Sequence, residues 1–354
     1  MRYPFGLVYD SAKHLLAGKL RRDPKFAISM TIDPLGGCTH SCGATKRAEN
    51  GNGGAMAGSG AETRPMLSVE QCLAAVEECG APVVLISGGE PLEYPEIQRL
   101  TREILERGKH VFLSTDGTLI RRRLHMIPPY TSFFWNVKLD GTANVHDARV
   151  GKVGIFAEAL DGAKAAKNAG FFVVVTTTIY PDTDVADVAA LYQNLHAMHV
   201  DGYMFTPAYA RKTICKEESK VFHRKMQERF REARGLLGGY NLMMSPVYME
   251  YLCGERDLDC CVWGSPVYGP RGWAAPCSML NEGHAASYAE LSEKTLWENY
   301  GRGMNPRCET CMCPAGFESA ALLGMNPKAG DYWKMLSWQL GGSLGERKEA
   351  AGAR

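Results

Sequence analysis

Val83-Val-Leu-Ile-Ser-Gly-Gly-Glu-Pro91 carries an apolar run straight into a glycine pair and an acid. Residues 82–87 have the β-branched composition of a buried strand. Two glycines follow, where a backbone turns sharply or lets another group come close. On its own, Ser87-Gly88-Gly89-Glu90-Pro91 reads either as a tight turn or as a ligand loop. In the second case the exposed N–H groups and the Glu90 carboxylate would meet a polar, cationic group.

The run belongs to a rhythm. Further strand candidates lie at 27–33, 110–115, 133–139, 171–179 and 202–206. Between them, 67–80, 94–108, 155–169 and 184–199 repeat apolar residues at three- and four-residue spacing, as in Ile97, Leu100, Ile104 and Leu105. Ser68 with Gln71 forms a capping-box signature, and Gly80, Gly108 and Gly170 stand where helices end. Six strands, each followed by a helical segment, predict a parallel sheet with right-handed crossovers. A doubly wound open sheet and a partial barrel both satisfy this periodicity.

Forty basic and 39 acidic side chains leave a net charge of +1, and 45% of the 354 residues are hydrophobic. That composition excludes a disordered chain and a fibre, and it lacks the basic surplus of a nucleic-acid binder. No apolar run reaches the ~18 residues of a spanning helix, and residues 1–22 have no signal-peptide core. Twelve cysteines with no export signal point to metal or redox chemistry in the cytoplasm. The chain divides into an N-terminal helical segment (1–26), the α/β unit (27–238), a Cys-rich extension (239–325) and a tail (326–354). Residues 51–60, GNGGAMAGSG, read as a loop insertion in the α/β unit. After about 240 the texture turns to Pro, Gly, Trp and Cys, with seven of the twelve cysteines.

Cys38-Thr-His-Ser-Cys42-Gly-Ala-Thr45 follows the first strand. Reactive groups of parallel α/β proteins gather at the carboxyl ends of strands, and two thiolates four apart can share a metal centre. They can equally be ordinary loop cysteines. A cysteine loop after strand one and Gly-Gly-Glu-Pro after strand two together resemble the radical S-adenosylmethionine (SAM) superfamily. The resemblance implies a partial (β/α)6 barrel. A [4Fe–4S] cluster would be held by Cys38 and Cys42, with SAM at Gly88, Gly89, Glu90 and Asp116. Reductive cleavage of SAM to a 5′-deoxyadenosyl radical would follow, fed by a flavodoxin- or ferredoxin-type donor.

The likeness continues through Val111-Phe-Leu-Ser-Thr-Asp-Gly117, Asn136-Val-Lys-Leu-Asp-Gly141 with His146-Asp147, and Asp201-Gly-Tyr-Met-Phe-Thr-Pro207. It then takes in Cys261-Val-Trp-Gly-Ser-Pro, Gly272-Trp-Ala-Ala-Pro-Cys277, Cys308-Glu-Thr-Cys311 and Gly316-Phe-Glu318. Over residues 20–325 this order is similar to the adenosylhopane (adenosylhopene) synthases of hopanoid biosynthesis, which implies an apolar, alkene-bearing substrate.

Two positions depart from that pattern. Thr45 stands where the third cluster cysteine belongs, and a hydroxyl is a hard, poor ligand for iron. His40 or a distant cysteine would have to replace it, or the cluster is lost, or the chemistry has changed. Ser114 stands where the relatives are expected to carry a hydrogen-donating cysteine. An O–H bond is stronger than S–H, so the closing step should differ.

In the extension, Cys308 and Cys311 with Cys261 and Cys277 offer four thiolates for an auxiliary Fe–S cluster or zinc, with Cys260 and Cys313 as alternatives. Cys72 and Cys79 read as core fillers. Asp116 and Asp140 end strands three and four. They would border the cofactor and the substrate, or simply form Asp-Gly turns. Tyr209 lines a cavity or packs. Phe5, Leu7, Val8 and Leu15 among Lys13, Lys19, Arg21 and Arg22 fit a helix on the barrel flank, or a peripheral membrane contact.

Overall fold

The computed structural model describes residues 2–20, 25–36, 66–210, 216–324 and 328–341. The Gly-rich stretch 51–60 and the end of the tail lie outside them. The six expected strands form: β1 (Ser29–Ile32), β2 (Val83–Ile86), β3 (His110–Thr115), β4 (Phe133–Lys138), β5 (Phe172–Ile179) and β6 (Gly202–Pro207). All are parallel and paired in sequence order, with Ile32 beside Ile86, Ile86 beside Leu113, Thr115 beside Val137 and Lys138 beside Thr176. This register brings all six carboxyl ends to one edge.

Helix α1 (Phe5–Leu20) precedes the sheet. The crossovers carry α2 (Val69–Cys79), α3 (Ile97–Glu106), α4 (Ile120–Arg123), α5 (Ala143–Val150), α6 (Ile155–Asn168) and α7 (Val185–Ala197). The capping box is present at α2: Ser68 Oγ accepts from Gln71 N at 3.2 Å, and Ser68 N donates to Gln71 Oε1 at 2.8 Å. Gly80 closes the helix in the left-handed region. The helices α2, α3, α6 and α7 pack on one face of the sheet, against Ile32, Ile86, Leu113, Trp135 and Val175, all buried. Side chains of the other parity face inward. At the amino-terminal end this inner face is apolar: Phe112 and Phe134 stack with centroids 4.4 Å apart, and Leu7 of α1 packs with them. Nearer the carboxyl ends it turns polar, with Thr31, Ser114, Asn136 and Thr176. The fold is therefore a partial barrel whose floor α1 lines and whose strand ends carry the polar groups.

Helix α8 (Lys216–Leu237) follows β6, then α9 (Pro246–Leu252), β7 (Val267–Gly269), β8 (Gly272–Ala275), β9 (Gly283–Ala285), α10 (Tyr288–Lys294), α11 (Pro314–Leu323) and α12 (Asp331–Gln339). The extension continues the barrel sheet, because β7 pairs parallel with β1 and β8 and β9 add antiparallel strands, giving the order β6-β5-β4-β3-β2-β1-β7-β8-β9. No helix among the described residues is long and apolar enough to cross a membrane.

Candidate active site at the strand ends

Asp33 follows β1 directly, and its Oδ1 accepts from Leu35 N at 3.1 Å and Gly36 N at 2.9 Å. This fixes the chain as it leaves the strand toward the cysteine loop. Burial raises the Asp33 carboxyl, and the two N–H bonds oppose the shift. Leu67 N donates to Pro34 O at 2.9 Å, and Tyr94 Oη donates to Leu67 O at 2.8 Å. The described chain thus leaves at Gly36 and returns at Met66 with its two flanks bonded together. Cys38, Cys42 and Thr45 lie between them, outside the described residues.

Gly88 lies against this flank. It has φ +111°, and a Cβ there would stand 2.0 Å from Asp33 Oδ1, so both conformation and space demand glycine. Gly88 is exposed and Gly89 half-buried, whereas Glu90 is 3% exposed. Glu90 Oε1 accepts from Leu92 N at 3.0 Å and Thr115 Oγ1 at 2.8 Å, and Oε2 accepts from Asp116 N at 3.0 Å. One carboxylate therefore ties the β2 loop to the end of β3. Burial first, and the neighbouring Asp116 charge second, push Glu90 up to about 8. Asp116 is half-buried, and its Oδ1 accepts from Thr118 N and Oγ1 at 2.9 and 2.8 Å.

Asp33, Glu90 and Asp116 surround exposed glycine backbone at one sheet edge. That donor set fits a molecule with cationic centres and polar groups that pair with backbone, as the ammonium and sulfonium of SAM require.

Ser114 is half-buried on the inner face of β3, opposite Asn136 in register. Asn136 Oδ1 accepts from Thr176 Oγ1 at 2.6 Å. Asp140 has a strut's surroundings: it is 3% exposed, Oδ1 accepts from Thr178 N at 2.8 Å, and its N donates to His146 Nδ1 at 3.2 Å. Lys138 Nζ stands 3.5 Å from Oδ2. These bonds lock β4 to β5, so the arrangement supports a positioning role for Asp140 and leaves Ser114 as the group on the inner wall.

A second constellation lies in the extension. Cys260, Cys277, Cys308, Cys311 and Cys313 line one cavity with Tyr209, whose Oη donates to Arg307 O at 3.2 Å. Cys261 is fully buried and not on the cavity, so the structure gathers Cys277, Cys308 and Cys311 from the expected set and puts Cys260 where Cys261 was expected. The difference is one residue of a Cys-Cys pair, set by the helical turn Val262–Gly264 that follows. Burial raises all five thiols, Cys277 to about 11. His223 of α8 hydrogen-bonds the carbonyl of Glu309, between Cys308 and Cys311. Cys72 and Cys79 are buried on α2, as core fillers should be. Cys260 and Cys313 were the alternative ligands in the sequence, whereas Asp33 and His223 are residues that sequence reasoning did not assign. Only Asp33 left a trace, as an Asx-turn residue directly after a strand.

Residues 34–195 match the model of the radical SAM superfamily, a span that contains Gly88, Gly89, Glu90 and Asp116 and begins one residue after Asp33. Residues 34–195 are a radical SAM domain. Its implied cofactors are a [4Fe–4S] cluster and SAM, which fits the acidic, glycine-floored edge. Residues 203–335 match a domain of unknown function (DUF3463). Fe-coproporphyrin III synthase of Methanosarcina barkeri is 32% identical over 133 residues, 36% of this chain and 33% of that protein. The antilisterial bacteriocin subtilosin biosynthesis protein AlbA of Bacillus subtilis is 24% identical over 273 residues, 72% of this chain and 59% of that protein. The chain thus matches less than two thirds of the length of either. Among solved structures, Streptococcus suis SuiB bound to precursor peptide SuiA superposes with TM-score 0.55 and 13% identity, covering 87% of this chain and 76% of that one. AnSMEcpe with bound AdoMet gives TM-score 0.52 and 14% identity, covering 89% and 93%. These two likenesses establish that the radical SAM domain and its extension share a fold with them.

Proposed function

We propose that this chain is a radical SAM enzyme whose substrate is an apolar alkene of the hopene class. The observation that carries the enzyme reading is the pinning of Gly36 and Leu67, the two flanks of the cysteine loop, beside Gly88 at the carboxyl edge of β1 and β2. With both cofactors bound, one-electron reduction supplies methionine and a 5′-deoxyadenosyl radical. The chain's own residues orient and shield that chemistry. Gly88 and Gly89 offer backbone to the amino-acid end of SAM, and Glu90 holds the glycine turn against β3. Asp33 and Asp116 supply negative charge on either side. Cys38 and Cys42 are the proposed cluster ligands, with His40 or a more distant cysteine as the third. The five-thiol cavity is the proposed auxiliary cluster site. Among the described residues no group of three such ligands stands close enough to hold a single ion.

The hopene-type substrate rests on the order of landmarks through the extension. Ser114 cannot donate hydrogen as a thiol would, so the closing hydrogen comes from another donor. A second reading, a macrocycle or peptide substrate, is favoured by the identity to Fe-coproporphyrin III synthase and AlbA. The reconstituted protein with SAM, reductant and a C30 hopene tests the choice. Mass spectrometry should find the substrate mass increased by a deoxyadenosyl group and one hydrogen. Unchanged hopene beside turnover of a coproporphyrin or a peptide contradicts the substrate assignment.

A further inference from the structure

The two ends of the described chain meet at the edge of the sheet opposite the strand-end site. Arg2 Nε donates to Trp338 O at 2.9 Å, Gln339 Nε2 donates to Tyr3 O at 3.1 Å, and Lys19 Nζ reaches Tyr332 Oη at 3.4 Å. Helix α1 spends its inner side on the barrel floor. Leu7 packs with Phe112, His110 Nε2 meets Asp10 Oδ2 at 2.9 Å, and His14 Nε2 meets Ala27 O at 2.8 Å.

Its outer side is apolar. Phe5, Tyr9, Leu16 and Leu20 recur at steps of four, seven and four, which places them on one stripe. The neighbouring α12 and the residue after it repeat the arrangement with Tyr332, Trp333, Leu336 and Leu340. All eight are between 48% and 74% exposed. Contiguous apolar surface of this kind marks a docking site. Its charge is one-sided. Lys13 and Lys19 are exposed along the stripe, whereas the acids of the two helices turn away: Asp10 toward His110, and Asp331 buried onto Arg256.

We propose that this face docks on an anionic phospholipid bilayer. Trp, Tyr and Phe are the side chains that settle at the headgroup boundary, and flanking lysines meet anionic headgroups. A second copy is a poorer occupant: a two-fold contact sets each patch against itself and brings like-charged lysines together. The proposal is independent of the strand-end chemistry.

Vesicle flotation of the full chain tests it, using phosphatidylcholine alone and phosphatidylcholine mixed with phosphatidylglycerol. The mixed vesicles should capture the protein, and salt should weaken capture. Trp333→Ser with Leu336→Ser should lower binding at least ~10-fold with an unchanged unfolding midpoint, because both side chains are exposed. Lys13→Gln with Lys19→Gln, which leave the apolar stripe intact, should lower binding to mixed vesicles by about fivefold per lysine. The proposal is overturned if neither vesicle captures the protein or if the Trp333/Leu336 variant binds as well as the parent. A solution dimer dissolved by the same substitutions would also overturn it.

Discussion

The carboxylate of Asp33 occupies the space that a side chain on Gly88 would need: its Oδ1 lies 2.0 Å from where that Cβ would sit. The end of the first strand and the turn after the second are therefore fitted to one another, and both border the proposed cofactor site. Gly88→Ala should displace Asp33 and also carry a positive φ that costs a Cβ-bearing residue about 1–2 kcal/mol. SAM affinity by calorimetry should fall at least ~10-fold. Adding Asp33→Ala should relieve the clash but not the φ strain, recovering thermal stability in part. Parental affinity in the single variant would contradict the fit.

Glu90 gives a pH signature. Burial holds it at about 8 in the folded chain, while an unfolded glutamate ionises near ~4.3. Between those values the folded state keeps a proton that the unfolded state has lost, so stability falls as pH rises across that window and levels off above it. Glu90→Gln removes this contribution. Urea midpoints measured at successive pH values should fall less steeply in the variant. Parallel curves would show that Glu90 is ionised in the folded protein at neutral pH.

The extension can be tested by iron counting. With Cys38 and Cys42 both changed to Ala, reconstituted protein should retain about 4 Fe, the content of one [4Fe–4S] cluster. Cys311→Ser in that background should lose most of it, while Cys261→Ser should not, because Cys261 is off the cavity. Loss of iron from the Cys261 variant alone would restore the ligand set expected from sequence.

Arg256 and Asp331 make a buried pair joined by three hydrogen bonds of 3.1–3.2 Å. Asp331→Ala strands the guanidinium and should cost about 3–5 kcal/mol. The lower end is expected, because Glu250 remains 3.4 Å away. A denaturant midpoint unchanged from the parent would contradict it.

The six barrel strands were legible because each is a compact apolar run closed by turn residues, as Phe172–Ile179 shows. Helix α2 was legible from its cap. Strands β7 to β9 were not: runs of three or four residues have no period to detect, and only the pairing of β7 with β1, β8 with β7 and β9 with β8 defines them. Helix α8 was hidden for the opposite reason, since its 22 residues are dominated by charge. At the strand ends, the Gly-Gly-Glu turn and Asp116 were visible as a motif. Asp33 was not, because one acid after a strand becomes informative only when the Gly88 backbone is seen against it. The Cys260–Cys261 choice depends on which way one peptide turns, which spacing does not encode.

Ser114→Cys probes the closing step. The parent carries no thiol at this inner-wall position. The cysteine variant should transfer solvent-exchangeable hydrogen, so turnover in D2O should place deuterium in the product from the variant but not through residue 114 of the parent. Equal labelling would assign hydrogen donation to a group other than this one.

The most direct measurement is release of 5′-deoxyadenosine from anaerobically reconstituted protein given SAM and a one-electron reductant. The account predicts release by the parent chain and its loss in Cys38→Ala and Cys42→Ala. An iron-loaded parent that forms none, or a Cys38 variant that forms as much as the parent, would contradict it.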